Sequence, residues 1–184
     1  MTEVIQAYKF ALDPSPSQEN ELRSHCGAQR FAYNWGLHSV KAVMDQRKAE
    51  ASYDLADDEL TPSISWSAYS LRKDWNQAKD EVAPWWGENS KESYSSGLAN
   101  LATALKNWDD SKKGKRKGAK VKFPRFTSKY RTMSCRFTTG SFGLADRAGG
   151  TSNCRVSEQC GPTNPPANSP AGSNSAPPRS VQRP

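Results

Sequence analysis

The apolar positions of this chain follow two periods, one typical of strands and one typical of helices. Residues 4–12 alternate between apolar and polar side chains, which predicts a short strand. Further short β-type runs, in which apolar and basic positions alternate, are predicted at residues 121–126 and 135–140. A long region of helical period separates the first strand from the later ones, so the element order is that of an α+β protein.

The helical region begins with a capping sequence. Ser15 is suited to the N-cap and Pro16 to the first helical position, and we expect Gly27 to close this first helix. A second helix is predicted over about residues 29–51, and a third over about residues 65–80.

The clearest helix follows Ser90, which is suited to cap it. Its apolar residues fall at steps of four, three, four and three and predict one continuous buried seam, formed by Tyr94, Leu98, Leu101, Leu105 and Trp108. A seam with this spacing is typical of a protein core rather than of a cofactor site.

The net charge of +7 conceals an uneven distribution. Residues 1–110 hold eleven Lys/Arg and seventeen Asp/Glu, whereas residues 111–145 hold eleven Lys/Arg and no acidic residue. A polybasic segment beside an acidic body attracts polyanions, most often nucleic acid, because binding releases condensed counterions. The competing interpretation is a basic linker that only improves solubility. The aromatic residues that follow the lysines favour nucleic acid.

Composition also argues against several classes of function. No apolar run approaches membrane-spanning length and the first twenty residues lack a signal-peptide pattern, so we expect a cytoplasmic protein without a membrane partner. The four cysteines have no CxxC spacing, and His25 and His38 form no ligand pattern with them. We therefore predict no metal site, no cofactor and no disulfide framework.

Five segments, taken in order, resemble the N-terminal part of OrfB/TnpB-family proteins, which bacterial insertion sequences encode and which are often described as transposases with an N-terminal helix-turn-helix. The segments are residues 7–14 (AYKFALDP), 30–37 (RFAYNWGL), 91–101 (KESYSSGLANL), 123–126 (FPRF) and 136–140 (RFTTG). Each is short, but their order and separations make the resemblance specific over about residues 4–145.

The resemblance implies a barrel-like wedge domain built from the first and later strands, with a helical recognition lobe between them, both contacting guide RNA and target DNA. The nuclease of the family is a RuvC-like domain with acidic metal ligands and a CxxC…CxxC zinc module. Neither pattern occurs in this sequence. We therefore expect a nucleic-acid-binding fragment, truncated and without catalytic residues.

The composition changes after Leu144. From there on the sequence has no Leu, Ile, Phe, Trp or Tyr, and seven of its twelve prolines lie between Thr151 and Pro184. A segment with so little apolar surface is predicted to be disordered. A change of reading frame near residues 147–150 is one explanation, since residues 151–160 can be reread, within codon degeneracy, as the strand-like string HVKLPRIGAV. An authentic disordered tail is the other.

The predicted fold class is therefore α+β, with a helix-turn-helix-like helical lobe inserted between the first strand and the later strands of an incomplete β-barrel-like domain. The expected divisions are residues 1–14 for the first strand, 15–110 for the helical lobe, 111–145 for the basic connector and later strands, and 146–184 for the disordered tail.

The predicted nucleic-acid contacts are the basic residues of the connector and later strands, which would neutralise phosphates. Two phenylalanines, Phe123 and Phe126, are candidates for stacking on bases, with core packing an equal alternative for both. The basic set comprises Lys112, Lys113, Lys115, Arg116, Lys117, Lys120, Lys122, Arg125, Lys129, Arg131 and Arg136.

Two other functions remain open at this level. One is an active transposase or RNA-guided DNA endonuclease, which would need an acidic metal cluster, and the other is a non-functional product of a decayed transposase gene. A base-reading helix-turn-helix over residues 18–44 is disfavoured because the second helix is largely apolar and aromatic. On that helix we expect Arg30, Tyr33 and Asn34 to tie helices together or touch RNA rather than to catalyse.

Overall fold

Three α-helices dominate the computed structural model, which describes residues 11–53, 55–130, 133–137, 142–144 and 154–156. The helices are α1 (Pro16–Ala51), α2 (Ala68–Val82) and α3 (Lys91–Lys112), with a single 3₁₀ turn at Trp86–Glu88 before α3. Two three-residue strands, β1 (Phe142–Leu144) and β2 (Cys154–Val156), pair in an antiparallel ladder.

Helix α1 begins where the sequence predicts and continues further than expected. The Ser15 hydroxyl accepts a hydrogen bond from the Gln18 amide, and the Gln18 side chain accepts one from the Ser15 amide, which makes a capping box. The predicted break at Gly27 is wrong, since α1 runs through it for 36 residues in all. Glycine costs a helix only about 1 kcal/mol, and the buried neighbours Cys26 and Ala28 favour continuation of the helix by packing.

The core lies between α1 and α3, and α2 covers one side of it. The predicted seam of α3 is confirmed for Tyr94, Leu98, Leu101 and Leu105, which are all buried, whereas its last predicted member, Trp108, is half-buried. These residues pack against apolar side chains of the other two helices, namely Ala28, Ala32, Leu37 and Val40 of α1 and Leu71 and Trp75 of α2.

Two glycines let the backbones of α1 and α3 come close together. A Cβ atom on Gly97 of α3 would overlap the backbone carbonyl oxygen of Gln29 on α1. A Cβ atom on Gly36 of α1 would lie 2.8 Å from a methyl group of Leu101 on α3. Glycine is therefore required at Gly97 by a backbone contact, whereas at Gly36 the opposing group is a side chain that can move.

Aromatic rings join α2 to the α1–α3 pair. The Trp75 ring stacks on Tyr94 at a centroid distance of 5.1 Å, and it meets the edges of Phe31 and Trp35 at 6.0 and 5.3 Å. Offset stacked and edge-to-face geometries are the favoured ones for such rings. One tryptophan of α2 thus contacts both other helices.

The start of α3 is fixed to α1 through His25. The Ser90 amide donates a hydrogen bond to His25 Nδ1 at 3.3 Å, while the Ser90 hydroxyl accepts one from the Glu92 amide and caps α3. Burial lowers the pKa of His25, against a smaller opposing effect of the Glu21 carboxylate. Since Nδ1 accepts a hydrogen bond, the folded state holds His25 in its neutral form.

The α+β prediction is wrong for the described residues, which are helical apart from the β1–β2 ladder and form no barrel-like sheet. The parts of the predicted strands that are described, residues 11–12, 121–126 and 135–137, have no strand structure. The stretch at 121–126 lacks a ladder partner, and Pro124 removes one backbone donor. Residues 4–10 and 138–140 of those strands lie outside the described residues.

The predicted disordered tail, residues 146–184, also lies outside the described residues except for β2. That short strand was not expected from the sequence as printed. Of the three described helices, none combines the length and the apolar character needed to cross a membrane.

Candidate nucleic-acid interface

The basic residues predicted to contact nucleic acid begin in a loop that is closed at its base, residues 111–121, called here the basic loop. The Ser111 hydroxyl accepts a hydrogen bond from the Val121 amide at 2.9 Å, which brings the two ends of the loop together. Gly114 and Gly118 have φ values of 69° and 105°, a region that favours glycine and lets the chain reverse direction. The end of α3 therefore supports a defined projection rather than an open linker.

The cations of the basic loop are all exposed. Two of them also have a neighbour on α3, since the Lys113 ammonium pairs with the Asp109 carboxylate at 2.5 Å and the Lys112 ammonium lies 5.6 Å from the ring centre of Trp108. The other members of the loop are exposed and have no ion pair among the described residues; they are Lys115, Arg116, Lys117 and Lys120.

After the basic loop the chain runs back along α1 as a segment without helix or strand structure, residues 121–130 and 133–137, called here the strap. Near its start, the Phe123 ring meets the edge of Trp108 on α3 at 5.0 Å. Near its end, the Phe137 ring meets the edge of His25 at 5.3 Å. Contacts thus pass from the last turns of α3 to the first turns of α1, so the strap runs antiparallel to α1.

Asn34 holds the middle of the strap. Its side-chain amide donates to the Thr127 carbonyl at 3.0 Å, and its side-chain oxygen accepts from the Thr127 amide at 2.9 Å. Of the two roles predicted for Asn34, tying helices together or touching RNA, the structure shows a tie, but from α1 to the strap rather than to another helix.

The two candidate stacking residues occupy different environments. Phe123 is half-buried and packs on Trp108, whereas Phe126 is 54% exposed. Sequence reasoning missed Tyr130, which is 86% exposed and has the Lys129 ammonium 5.2 Å from its ring centre. Its place directly after Lys129 in the basic stretch was a signal that could have identified it.

The remaining predicted basic residues lie along the strap. Lys122, Arg125, Lys129 and Arg136 are exposed, and Arg131 lies outside the described residues. The strap therefore extends the positive surface of the basic loop along the side of the helical core.

A cavity of about 570 Å³ lies between the strap, α1 and α3. Gln29, Arg30 and Asn100 contribute polar side chains to its wall, and Tyr130 contributes an aromatic ring. Gln29 Oε1 and Arg30 Nη1 are buried without a hydrogen-bond partner among the described residues. Sequence reasoning did not find this cavity because its walls come from three separate segments.

Comparison with known proteins gives two kinds of match. Residues 1–49 match a family model described as a helix-turn-helix domain, HTH_OrfB_IS605. Over 146 residues the chain is 38% identical to relatives from two strains of Mycobacterium tuberculosis, CDC 1551/Oshkosh and ATCC 25618/H37Rv, each provisionally named an RNA-guided DNA endonuclease. The matched region thus resembles the N-terminal part of OrfB/TnpB-family proteins. These matches cover 74% of this chain and 30% of the length of each relative.

The resemblance carried by the five sequence segments is thereby confirmed. A helix-turn-helix has a turn between two helices, but the described part of residues 1–49 has no such turn. It lies almost wholly within α1, which is continuous from Pro16 to Ala51. One face of α1 is buried in the core through Ala32, Leu37 and Val40, so that face is not available to read bases. The cationic surface of this chain lies on the basic loop and the strap.

Within the described residues, no group of three or more His, Cys, Asp or Glu side chains is placed to hold a metal ion.

Proposed function

We propose that this OrfB/TnpB-family chain binds nucleic acid through the phosphate backbone, using the basic loop and the strap. The observation that carries the proposal is the exposed set of cations on a loop closed at its base, within a stretch that contains no acidic residue. A helical core with a fixed projection holds these charges close together, so several phosphates can be neutralised at once.

The first partner we propose is a structured RNA of the guide type, and the second is DNA. The support is likeness alone, because the relatives from Mycobacterium tuberculosis are provisionally named RNA-guided DNA endonucleases. Phosphate contacts fix position and orientation but carry no base sequence information. We therefore expect binding with weak sequence preference.

We further propose that these residues bind without cutting. The support is that the zinc-module pattern CxxC…CxxC, which accompanies the nuclease in the family, does not occur in the sequence. The competing function is an active RNA-guided endonuclease. Incubation of the chain with Mg²⁺, a guide-type RNA and end-labelled DNA distinguishes the two, since accumulation of cleaved DNA would refute the binding-only proposal.

The binding proposal is tested by fluorescence anisotropy with a labelled RNA hairpin and a labelled DNA duplex at several salt concentrations. If about six cations each neutralise a phosphate, the affinity for the duplex falls by about 10³ between 50 and 200 mM salt. An affinity that does not change with salt, or the absence of binding at low salt, would contradict the proposal.

A charge-matched pair of variants locates the site. The triple substitution Lys115→Gln, Arg116→Gln and Lys117→Gln removes three loop cations and should reduce both the affinity and its salt dependence. The control substitutes three exposed lysines of α1 and α2, Lys41, Lys48 and Lys73, with Gln. Equal losses in the two triple variants would mean that net charge, and not the basic loop, determines binding.

A further inference from the structure

Two cysteines from distant parts of the sequence meet where the strap crosses α1. Cys26 lies on α1 and is 6% exposed, and Cys135 lies on the strap and is half-buried. Both are free thiols, and the residues beside them are close together, since the His25 ring meets the Phe137 ring and Cys26 lines the same cavity as Ser134. About a hundred residues separate them in the sequence, so only the course of the strap brings them together.

The contact is fixed by anchors on both sides. One residue before Cys26, the His25 ring packs on Phe137, which lies two residues after Cys135. Further along, Asn34 holds Thr127 by paired hydrogen bonds. The strap therefore cannot slide along α1 without losing both anchors, and the two thiols stay opposite each other. An S–S bond of about 2.05 Å requires the two sulfur atoms to approach each other from these neighbouring positions.

We propose that Cys26 and Cys135 are a modification site, at which a low-molecular-mass disulfide such as oxidised glutathione converts the two thiols into an intrachain disulfide that fastens the strap to α1. Neither the family match nor the names of the relatives assign a role to these cysteines.

The reaction balances as a thiol–disulfide exchange. The thiolate of one cysteine attacks a sulfur of glutathione disulfide, the S–S bond of glutathione breaks, and one glutathione thiolate leaves. The thiolate of the second cysteine then attacks the protein sulfur of the mixed disulfide and expels the second glutathione. Two protein thiols are oxidised, one glutathione disulfide is reduced to two glutathione thiols, and the two protons pass to the leaving thiolates.

The environment of the pair sets the pH dependence of the reaction. Burial, with a smaller contribution from the neighbouring Cys26, raises the pKa of Cys135 to about 12. Since the thiolate is the attacking species, the fraction available at neutral pH is small. Oxidation should be slow near pH 7, and where the Cys135 thiolate limits the rate it accelerates by about tenfold per pH unit up to pH 9.

Formation of the bond would hold the cationic residues of the strap, Arg125, Lys129 and Arg136, in place on the helical core. The closed loop between the two cysteines is long, and cross-links of this kind restrict the unfolded chain strongly. We expect the melting temperature to rise by on the order of 10 °C. We also expect trypsin to cleave at Arg125 and Lys129 more slowly in the oxidised chain.

The test uses the full chain and maps the linkage directly. After oxidation with glutathione disulfide and trapping of the remaining thiols, trypsin without reductant should yield residues 24–30 joined to residues 132–136, and dithiothreitol should separate them. Cys154 and Cys160 fall in other tryptic peptides. Linkage of the 24–30 peptide to either of those cysteines, cross-linking between chains, or stable glutathione adducts alone would overturn the proposal.

Variants supply the control. In a background with Cys154→Ser and Cys160→Ser, oxidation should reduce the free-thiol count from two to none, whereas addition of Cys135→Ser should leave one thiol on Cys26 or its glutathione adduct. If circular dichroism shows that the serine variants do not fold, the tryptic mapping of the unsubstituted chain still shows whether Cys26 and Cys135 are linked.

Discussion

Asn34 pairs with Thr127 as a residue of a neighbouring strand would. Its amide nitrogen donates to the Thr127 carbonyl at 3.0 Å, and its oxygen accepts from the Thr127 amide at 2.9 Å and from the Thr127 hydroxyl at 3.1 Å. A single side chain thus satisfies both backbone groups of a residue that the sequence pattern places just beyond a predicted strand. A backbone donor or acceptor left unsatisfied in a partly buried position is costly.

Substitution of Asn34 should therefore release the strap. Asn34→Ala leaves both Thr127 backbone groups without this partner, and we expect a loss of about 1–3 kcal/mol in the free energy of unfolding. Urea denaturation followed by circular dichroism measures the loss. Asn76→Ala, on the exposed surface of α2, is the control and should change stability by less than about 0.5 kcal/mol. Equal effects of the two substitutions would show that Asn34 does not anchor the strap.

Because α1 and α3 are in close contact at Gly97, the addition of one methyl group there should lower the stability of the protein strongly. Gly97→Ala places a Cβ atom against the Gln29 carbonyl, and the helix backbones must move apart. We expect destabilisation of about 1–3 kcal/mol or more, although alanine is the better helix former by about 1 kcal/mol. Thermal denaturation measures the effect.

Two other glycines serve as controls for that substitution. Gly36→Ala should cost less, since the group it meets is the movable side chain of Leu101, and Gly87→Ala should be nearly neutral, because nothing lies near the added carbon. If Gly97→Ala proved no worse than Gly87→Ala, the close crossing of the two helices would be refuted.

The buried, neutral His25 predicts a loss of stability at mildly acidic pH. Its pKa in the folded state is below the ordinary value of 6.5, so between the two values the unfolded chain binds more protons than the folded one. Stability is therefore fully present above pH 6.5 and decreases as the pH falls from there toward the lowered pKa. Protonation of Nδ1 also removes its hydrogen bond from the Ser90 amide.

Melting temperatures measured between pH 8 and pH 5 test this prediction. The decrease should become smaller in a His25→Gln variant and should persist in a His38→Gln variant. A pH profile that is unchanged by His25→Gln would assign the acid sensitivity to other groups, such as the carboxylates that titrate at lower pH.

The two phenylalanines at the start of the strap should separate stability from binding. Phe123→Ala removes a ring packed on Trp108 and should lower the free energy of unfolding by about 1–3 kcal/mol. Phe126→Ala removes an exposed ring and should leave stability unchanged while weakening binding to single-stranded RNA by about 1–3 kcal/mol, if a base stacks there. Denaturation and anisotropy on both variants measure the two effects, and an unchanged affinity of Phe126→Ala would exclude stacking by that residue.

Local signals in the sequence predicted the starts of α1 and α3 and the core face of α3. Ser15 and Ser90 form the caps that their residue types favour, and the seam from Tyr94 to Leu105 is buried. Signals of equal local strength failed at Gly27, where packing on α3 outweighs the weak helix propensity of one glycine. The alternation at residues 121–126 also misled, because alternation favours a strand only where a partner strand exists.

Relationships across the sequence could not be predicted in the same way. The anchoring of Thr127 by Asn34, the contact between Cys26 and Cys135, and the cavity under the strap each join residues about a hundred positions apart. No period or spacing within one segment encodes such pairs. By contrast, the basic stretch could be found from the distribution of Lys and Arg along the sequence. The structure shows in addition that these residues are exposed and that the loop carrying them is closed at its base.

The hydrogen bond between Ser111 and Val121 closes the base of the basic loop, so the length of the loop can change while the helices and the strap keep their positions. Because the two stems are joined, residues can be inserted or deleted between them without displacing either the end of α3 or the start of the strap, and the entropy lost on closing a longer loop grows only slowly. Related chains are thus free to vary the reach and the number of cations at this position while keeping the same helical support.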